Sequence, residues 1–328
     1  MLLTAKQIQS ITLGYTQTEE TEQGVAFYRF AKQHTDFIYT YSRDFGTKSQ
    51  ATSSIRLDFY TDSEFFRFAY ANAQKASSRT WCYFSLYVNG ELVSVFGEEQ
   101  AVNGFGSYEC TLPTGNNRVT LFFPNLFRAN VNLVELSNGA SVKPFIPKCR
   151  IVFHGDSITH GYDAKNPALS YVNRLAMSWN AEIVNYGIGA ATFDTRIIDE
   201  NAPTADAVFV SYGTNDWVKY PTLQDLIHNC KAFFEKLVAT YKNAPVFAIL
   251  PIWRKIYQEE RPTGDFMLVR QKIAEVAKEI AGAQIIDLWE DIPQDLTLFT
   301  DGLHPNDDGF AYYAKGVIKN IEKEINKI

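Results

Sequence analysis

The period of apolar residues changes once along this chain, between Pro144 and Arg150, and that change dictates how the chain must be divided. Before it, apolar and polar residues alternate, as a strand with one buried face requires. Ile55, Leu57 and Phe59 fall on one side, with Arg56 and Asp58 on the other. Phe66, Phe68 and Tyr70 repeat the pattern. Cys82, Phe84, Leu86 and Val88 run into Asn89-Gly90, a dipeptide suited to a tight hairpin because both central positions need positive φ. Residues 92–96 then read as the returning strand. Val119, Leu121 and Phe123 follow the Gly115-Asn116-Asn117 turn, and Val131, Leu133 and Leu136 close the half. A short helix is expected at Ala5–Ser10 and no long one. Short strands divided by turn residues predict an all-β sandwich of jelly-roll type over residues 1–147.

Pro144, Pro147 and the polar step Lys148-Cys149-Arg150 mark the boundary. Beyond it, apolar strands at 151–153, 183–185, 207–212, 246–250 and 284–288 alternate with amphipathic helices. Helices are expected at 168–179, 223–242, 266–281 and from about Asp308. In the second of them Leu226, Ile227, Phe233, Phe234, Leu237 and Val238 recur at helical spacing. Strands separated by helices demand a parallel sheet covered on both faces. Residues 148–328 are thus expected to form an α/β domain of flavodoxin-like size, five strands between helices, with ligands bound beyond the carboxyl ends of the strands.

Bulk properties remove several classes of function. The 328 residues are 46% apolar and 21% charged, ordinary for a soluble globular chain. The net charge of −6 comes without a basic stretch, which argues against nucleic acid or an anionic membrane as partner. No apolar run approaches the roughly 20 residues that span a bilayer. The first ten residues lack the apolar core of a secretory signal, so the expected location is cytoplasmic. Cys82, Cys110, Cys149 and Cys230 show no C-x-x-C spacing, and core thiols are expected in preference to a disulfide or a metal site. The first half is rich in Phe and Tyr. Most are expected to fill the sandwich core, with a carbohydrate-binding face built from a few exposed rings as the alternative.

Three segments carry chemistry, each following a predicted strand or lying in a late loop. Gly155-Asp156-Ser157-Ile158 offers a serine where the chain turns into a helix; Asp156 and Ser157 suit a helix cap equally well. Gly213-Thr214-Asn215-Asp216-Trp217 offers an amide that can donate to an oxyanion without any protonation requirement, or simply a turn. Asp301-Gly302-Leu303-His304-Pro305 places a carboxylate three residues before an imidazole. One ring nitrogen can then be held by Asp301 while the other faces Ser157; alone, the pair also reads as a polar loop. His34 and His228 lie outside any motif. His154 and His160 flank the serine and are expected to make local hydrogen bonds. Pro251-Ile252-Trp253-Arg254 follows a strand and is expected to border the pocket.

Gly-Asp-Ser-Ile, Gly-Thr-Asn-Asp and Asp-x-x-His-Pro, in this order, resemble the first, third and fifth blocks of the SGNH (GDSL-like) hydrolase superfamily. The resemblance spans about residues 150–328. It implies Ser157 as nucleophile, His304 as general base and then acid, Asp301 as its orienter, and Asn215 with the Ser157 N–H as oxyanion donors. Asn185-Tyr186-Gly187-Ile188-Gly189-Ala190 resembles the second block, with Ala190 where the family usually has glycine. Ala190 is the implied third donor, with Gly189 as the fallback. A jelly-roll sandwich before such a domain also resembles two-domain carbohydrate esterases and some bacterial acyltransferases.

The expectation is a cofactor-free, metal-free serine esterase that removes a short acyl group, acetyl foremost, from a sugar or similar hydroxyl. Asp156, Trp217, Trp253 and Arg254 are the candidate substrate contacts. Two alternatives stand beside it: an acyltransferase that passes the acyl group to a metabolite hydroxyl, and a non-catalytic sugar-binding protein. The partner is a small-molecule or oligosaccharide ester; oligomeric state is open.

Overall fold

A computed structural model of the chain describes residues 1–325. By its contacts the chain divides into two compact units. One is Met1–Lys148 with Lys165–Ala168 and Glu182–Val184; the other is Cys149–Ala164, Leu169–Ala181 and the chain from Asn185 onward.

The first unit opens with helix α1 (Ala5–Ser10), capped by Thr4 and Gln7 in a reciprocal box. Strands β1 (Thr12–Leu13), β2 (Gln17–Thr21) and β3 (Gly24–Tyr28) follow. Helices α2 (Lys32–Tyr41) and α3 (Arg43–Ser49) come next, then β4 (Arg56–Thr61), β5 (Phe65–Lys75), β6 (Cys82–Val88) and β7 (Glu91–Glu98). β8 (Gly104–Thr111), β9 (Asn117–Phe122), β10 (Phe127–Leu136) and β11 (Lys143–Pro144) complete it. One sheet runs β1-β4-β9-β6-β7, with β11 against β4, and the other runs β2-β3-β10-β5-β8. From β3 to β10 every connection changes sheet except the β6–β7 hairpin, which is the jelly-roll path. That hairpin turns at Asn89 and Gly90, with φ of 53° and 87°. Facing residues of the two sheets form one core, in which Phe68, Phe84, Phe96 and Phe123 meet edge-on, tilted or stacked at 5.3–6.4 Å. Each fully buried ring of this kind contributes about 1.5–3 kcal/mol.

One expectation fails here. Helix α2 is ten residues long where no long helix was expected. It carries Thr35, Ile38, Thr40 and three aromatics, poor helix formers, and buries only Thr35 and Ile38, so it shows no apolar stripe. The polar side of β4 is not solvent-facing, since Arg56 and Asp58 are both 1% exposed.

The chain from Arg150 carries a five-stranded sheet, β12 (Arg150–Gly155), β13 (Glu182–Gly187), β14 (Ala207–Ser211), β15 (Val246–Ile249) and β16 (Gln284–Ile286). Its order is β13-β12-β14-β15-β16, with parallel pairing from β12 through β16. The helices are α4 (Ser157–His160), α5 (Tyr171–Trp179), α6 (Thr214–Lys219), α7 (Leu223–Thr240), α8 (Phe266–Ala281) and α9 (Asp307–Ile325). Helix α7 buries Leu226, Cys230, Phe233, Phe234 and Leu237, the stripe its spacing predicts. This is the flavodoxin-like order, and its reversal point lies between β12 and β14. No helix among the described residues is long and apolar enough to cross a membrane.

Candidate active site

Both strands at that reversal point lead into motif residues. β12 ends at Gly155, where a Cβ would stand 2.1 Å from Thr159 Oγ1 and 2.8 Å from the Ser211 carbonyl oxygen. Only glycine lets the turn pass this close to its neighbours. Asp156 caps α4 by accepting the Ile158 N–H at 2.9 Å, so Ser157 sits at the first helical position. There its own N–H has no intrahelical acceptor. β14 ends one turn before Gly213, whose φ of 122° directs the chain into α6 and sets Asn215 in the first turn.

His304 meets Ser157 across the strand ends. Its Nε2 lies 2.8 Å from Ser157 Oγ, and its Nδ1 lies 2.8 Å from Asp301 Oδ2. The other Asp301 oxygen accepts the N–H groups of Leu303 and His304 at 3.0 and 2.9 Å, which closes the turn. Burial works to raise the Asp301 pKa, yet hydrogen bonds from His304 and its charge hold the carboxyl well below the usual range. Asp301 therefore stays an acceptor, so Nδ1 carries the proton and Nε2 is free to accept from the serine.

The second-block residues fix the opposite wall. Asn185 donates from Nδ2 to the Thr159 carbonyl and accepts the Gly187 N–H, both at 2.8 Å. Ile188 N–H donates to the Gly155 carbonyl at 3.0 Å, tying this loop to the end of β12. Ala190 adopts φ of 69°, the left-handed region where the family's glycine would be unstrained. Its N–H and that of Ser157 donate to no group among the described residues. The fallback is corrected: the Gly189 N–H is spent on His160 Nδ1 at 3.2 Å. Asn215 Nδ2 donates to the Ala191 carbonyl at 3.0 Å, which leaves its second N–H for another acceptor.

Asp216 does what the sequence reading left unassigned. It accepts the N–H of Phe193 at 2.8 Å and of Gly213 at 2.9 Å, joining the loop after Ala190 to the turn before Asn215. Burial pushes its carboxyl up to about 7 against those donors, with the Asp156 charge adding to the rise. Burial likewise pushes Asp156 up to about 6, opposed by the Ile158 N–H and the nearby His304, Arg254 and Lys219 charges. The signal for Asp216 was present in Gly-Thr-Asn-Asp, but a turn aspartate has too many uses for spacing to select one.

The expected substrate contacts fare differently. Asp156 is committed as a cap and Trp217 is fully buried, its Nε1 donating to the Gly264 carbonyl at 2.8 Å and its ring against Phe266, so both are supports. Arg254 reaches under Asn215's helix, where Nη1 donates to the Thr214 carbonyl and hydroxyl at 2.9 and 3.1 Å, and its guanidinium lies 5.3 Å from the Trp217 ring centre. Trp253 packs edge-on to Phe299 at 5.2 Å. Each keeps 8% of its surface. His154 and His160 are fully buried, with His154 Nε2 3.0 Å from the Tyr241 hydroxyl. Asp163, Asp301 and His304 present ligand-type atoms within 4.8 Å of one another. A cation there would have to displace the proton that the short His304–Asp301 contact requires, and the cluster reads as an imidazole among its carboxylates.

Comparison with known proteins bears on the fold. The model of the GDSL-like Lipase/Acylhydrolase family matches residues 153–312. No curated protein gives a significant sequence match. Among solved structures, the salicylyl-acyltransferase SsfX3 from a tetracycline biosynthetic pathway superposes with a TM-score of 0.77 at 19% identity, covering 95% of this chain and 94% of that one. A family two carbohydrate esterase from Cellvibrio japonicus gives 0.67 at 12% identity over 99% and 98%. Another from Clostridium thermocellum, in complex with cellohexaose, gives 0.66 at 14% over 85% and 94%. At such identities these likenesses establish the shared fold. Residues 153–312 therefore form a GDSL-like lipase/acylhydrolase domain, preceded by a jelly-roll β-sandwich.

Proposed function

We propose that this chain is a serine esterase that removes a short acyl group, acetyl foremost, from a carbohydrate or similar hydroxyl through an acyl-enzyme. The observation that carries the reading is His304 standing between Ser157 Oγ and Asp301 Oδ2 at 2.8 Å on each side. Ser157 attacks the ester carbonyl as His304 takes its proton at Nε2. Asp301 keeps the ring in the required tautomer and favours the imidazolium. The Ser157 and Ala190 N–H groups and Asn215 Nδ2 hold the oxyanion. His304 then returns the proton to the leaving alkoxide, and water repeats the cycle on the acyl-serine. Every role falls to a side chain or backbone group of this chain.

Likeness over 85% and 99% of the chain to two family two carbohydrate esterases supports a sugar hydroxyl as the leaving group. Likeness over 95% of the chain to a salicylyl-acyltransferase supports the second reading, in which a metabolite hydroxyl replaces water. Ser157 is 5% exposed, and whether water or an alcohol reaches the acyl-serine is what separates the two readings. We take residues 1–147 and 148–328 as the two domains. Thiol rather than disulfide chemistry at Cys82, Cys110 and Cys230 supports a cytoplasmic location. The test is a panel of p-nitrophenyl and acetylated-sugar esters, with product analysis in the presence of candidate alcohols. Turnover by the wild type and its loss of at least about 10⁴-fold in Ser157→Ala is expected; unchanged turnover in the variant overturns the assignment.

A further inference from the structure

The imidazole of His304 is approached by more of the serine's own loop than Ser157 alone. Beyond α4 the chain passes through two left-handed residues, Gly161 at φ 95° and Asp163 at φ 67°. Among residues with a Cβ, Asp and Asn are those that tolerate this conformation best. The loop is anchored by the Tyr162 N–H, which donates to the Ser157 carbonyl at 3.0 Å. Its shape lays the Tyr162 ring on the His304 imidazole, centroids 5.7 Å apart and planes at 27°. It also brings Asp163 Oδ2 to 3.8 Å from His304 Nδ1, the nitrogen that Asp301 holds at 2.8 Å.

The two carboxylates differ in reach and in surroundings. One proton on Nδ1 makes one good hydrogen bond, and Asp301 has it; 3.8 Å is too long for a second. Yet the Asp301 side chain is 43% exposed, and water screens its charge, while that of Asp163 is 1% exposed. A charge at 3.8 Å in a poorly screened setting acts on the ring more strongly than its distance alone suggests. We propose that Asp163 is a second positioning carboxylate for His304: Asp301 sets the tautomer by its hydrogen bond, and buried Asp163 stabilises the imidazolium that forms when Ser157 gives up its proton. This rests on the esterase reading above. It makes Asp301 partly redundant, which a lone orienting carboxylate would not be.

The experiment is kcat/KM against pH for wild type, Asp163→Asn, Asp301→Ala, the double variant and Ser157→Ala, with a melting temperature for each. Asparagine keeps the size and left-handed tolerance of Asp163 and removes its charge, at the cost of turning one acceptor oxygen into a donor, which the melting temperature monitors. The groups acting on His304 are Asp301 from its own turn, and Asp156, Ser157, Tyr162 and Asp163 from the serine segment. Removing one negative charge is expected to move the acidic limb of the profile to lower pH by about one unit. Asp301→Ala should cost about 10²-fold, and the double variant roughly the 10⁴-fold that loss of a sole orienting carboxylate costs. A lowered melting temperature alone would not move the limb. An unmoved limb, with Asp301→Ala equally costly in both backgrounds, overturns the proposal while inactive Ser157→Ala leaves the esterase reading intact. An active Ser157→Ala overturns both.

Discussion

In the antiparallel unit, the buried carboxylate Asp58 is answered by two arginines. Arg56 Nε lies 3.0 Å from one oxygen, Arg118 Nε 2.8 Å from the other, and Thr120 Oγ1 donates at 3.2 Å. In the parallel unit, Asp156 and Asp216 are buried as deeply, at 3% and 0% exposure, and backbone N–H groups are their hydrogen-bond donors. The first arrangement neutralises charge locally and locks two strands, β4 and β9, in register. The second leaves carboxyls with raised pKa values, about 6 and about 7, at the ends of the central strands. A buried acid matched by cations is a structural fixture; buried acids held by turn amides mark the place where loops must be aimed.

The sharpest way to break this contrast is Asp58→Ala. It removes the carboxylate that Arg56, whose side chain is 2% exposed, and Arg118 both answer, and should destabilise the protein by about 3–5 kcal/mol in denaturant unfolding while leaving kcat of the surviving fold unchanged. A comparable loss of kcat would mean that the sandwich network serves the chemistry. Asn215→Ala sits on the other side of the comparison: kcat should fall about 10²–10³-fold with unfolding barely altered, since the amide's recorded bond is one contact to the Ala191 carbonyl. The smallest effect concerns pH. A carboxyl whose folded pKa exceeds its unfolded value stabilises the fold below the unfolded value, and that contribution is lost as pH rises through the folded one. For Asp156 and Asp216 that window runs from about 4 to about 7. The melting temperature should thus rise by a few degrees, on the order of 2–4 °C per kcal/mol, as pH falls from 8 to 5. Asp216→Asn should flatten that dependence, and a dependence unchanged in the variant would contradict the burial argument.

The two units also differ in how much of them the sequence reveals. Parallel strands buried on both faces are continuous apolar runs, and α7 and α8 bury one stripe each, so the five strands and the long helices stand out. In the sandwich, β4, β5, β6, β7, β9 and β10 alternate and were legible. Strand β8 carries two glycines and buries no residue fully, and β2 exposes or half-buries all five of its residues, so neither alternates visibly. Of the site, Ser157, Asn215, Asp301 and His304 were readable because each follows a strand or turn in a fixed order. Asp163, Asp216 and the Gly189–His160 bond were not, because their partners lie 23 to 141 residues away and no local pattern announces such a meeting. Trp217 misled for the opposite reason: an aromatic beside a motif looks like a contact, and burial turned it into a support.

The central claim is that Ser157 is a nucleophile made reactive by His304. Exposure to a fluorophosphonate followed by peptide mass analysis tests it without any guess about the ester. A single adduct on Ser157 is expected, formed rapidly in the wild type and at least about 10²-fold more slowly in His304→Ala. No adduct on Ser157 in a folded wild-type protein, or equal labelling of the His304 variant, would contradict it.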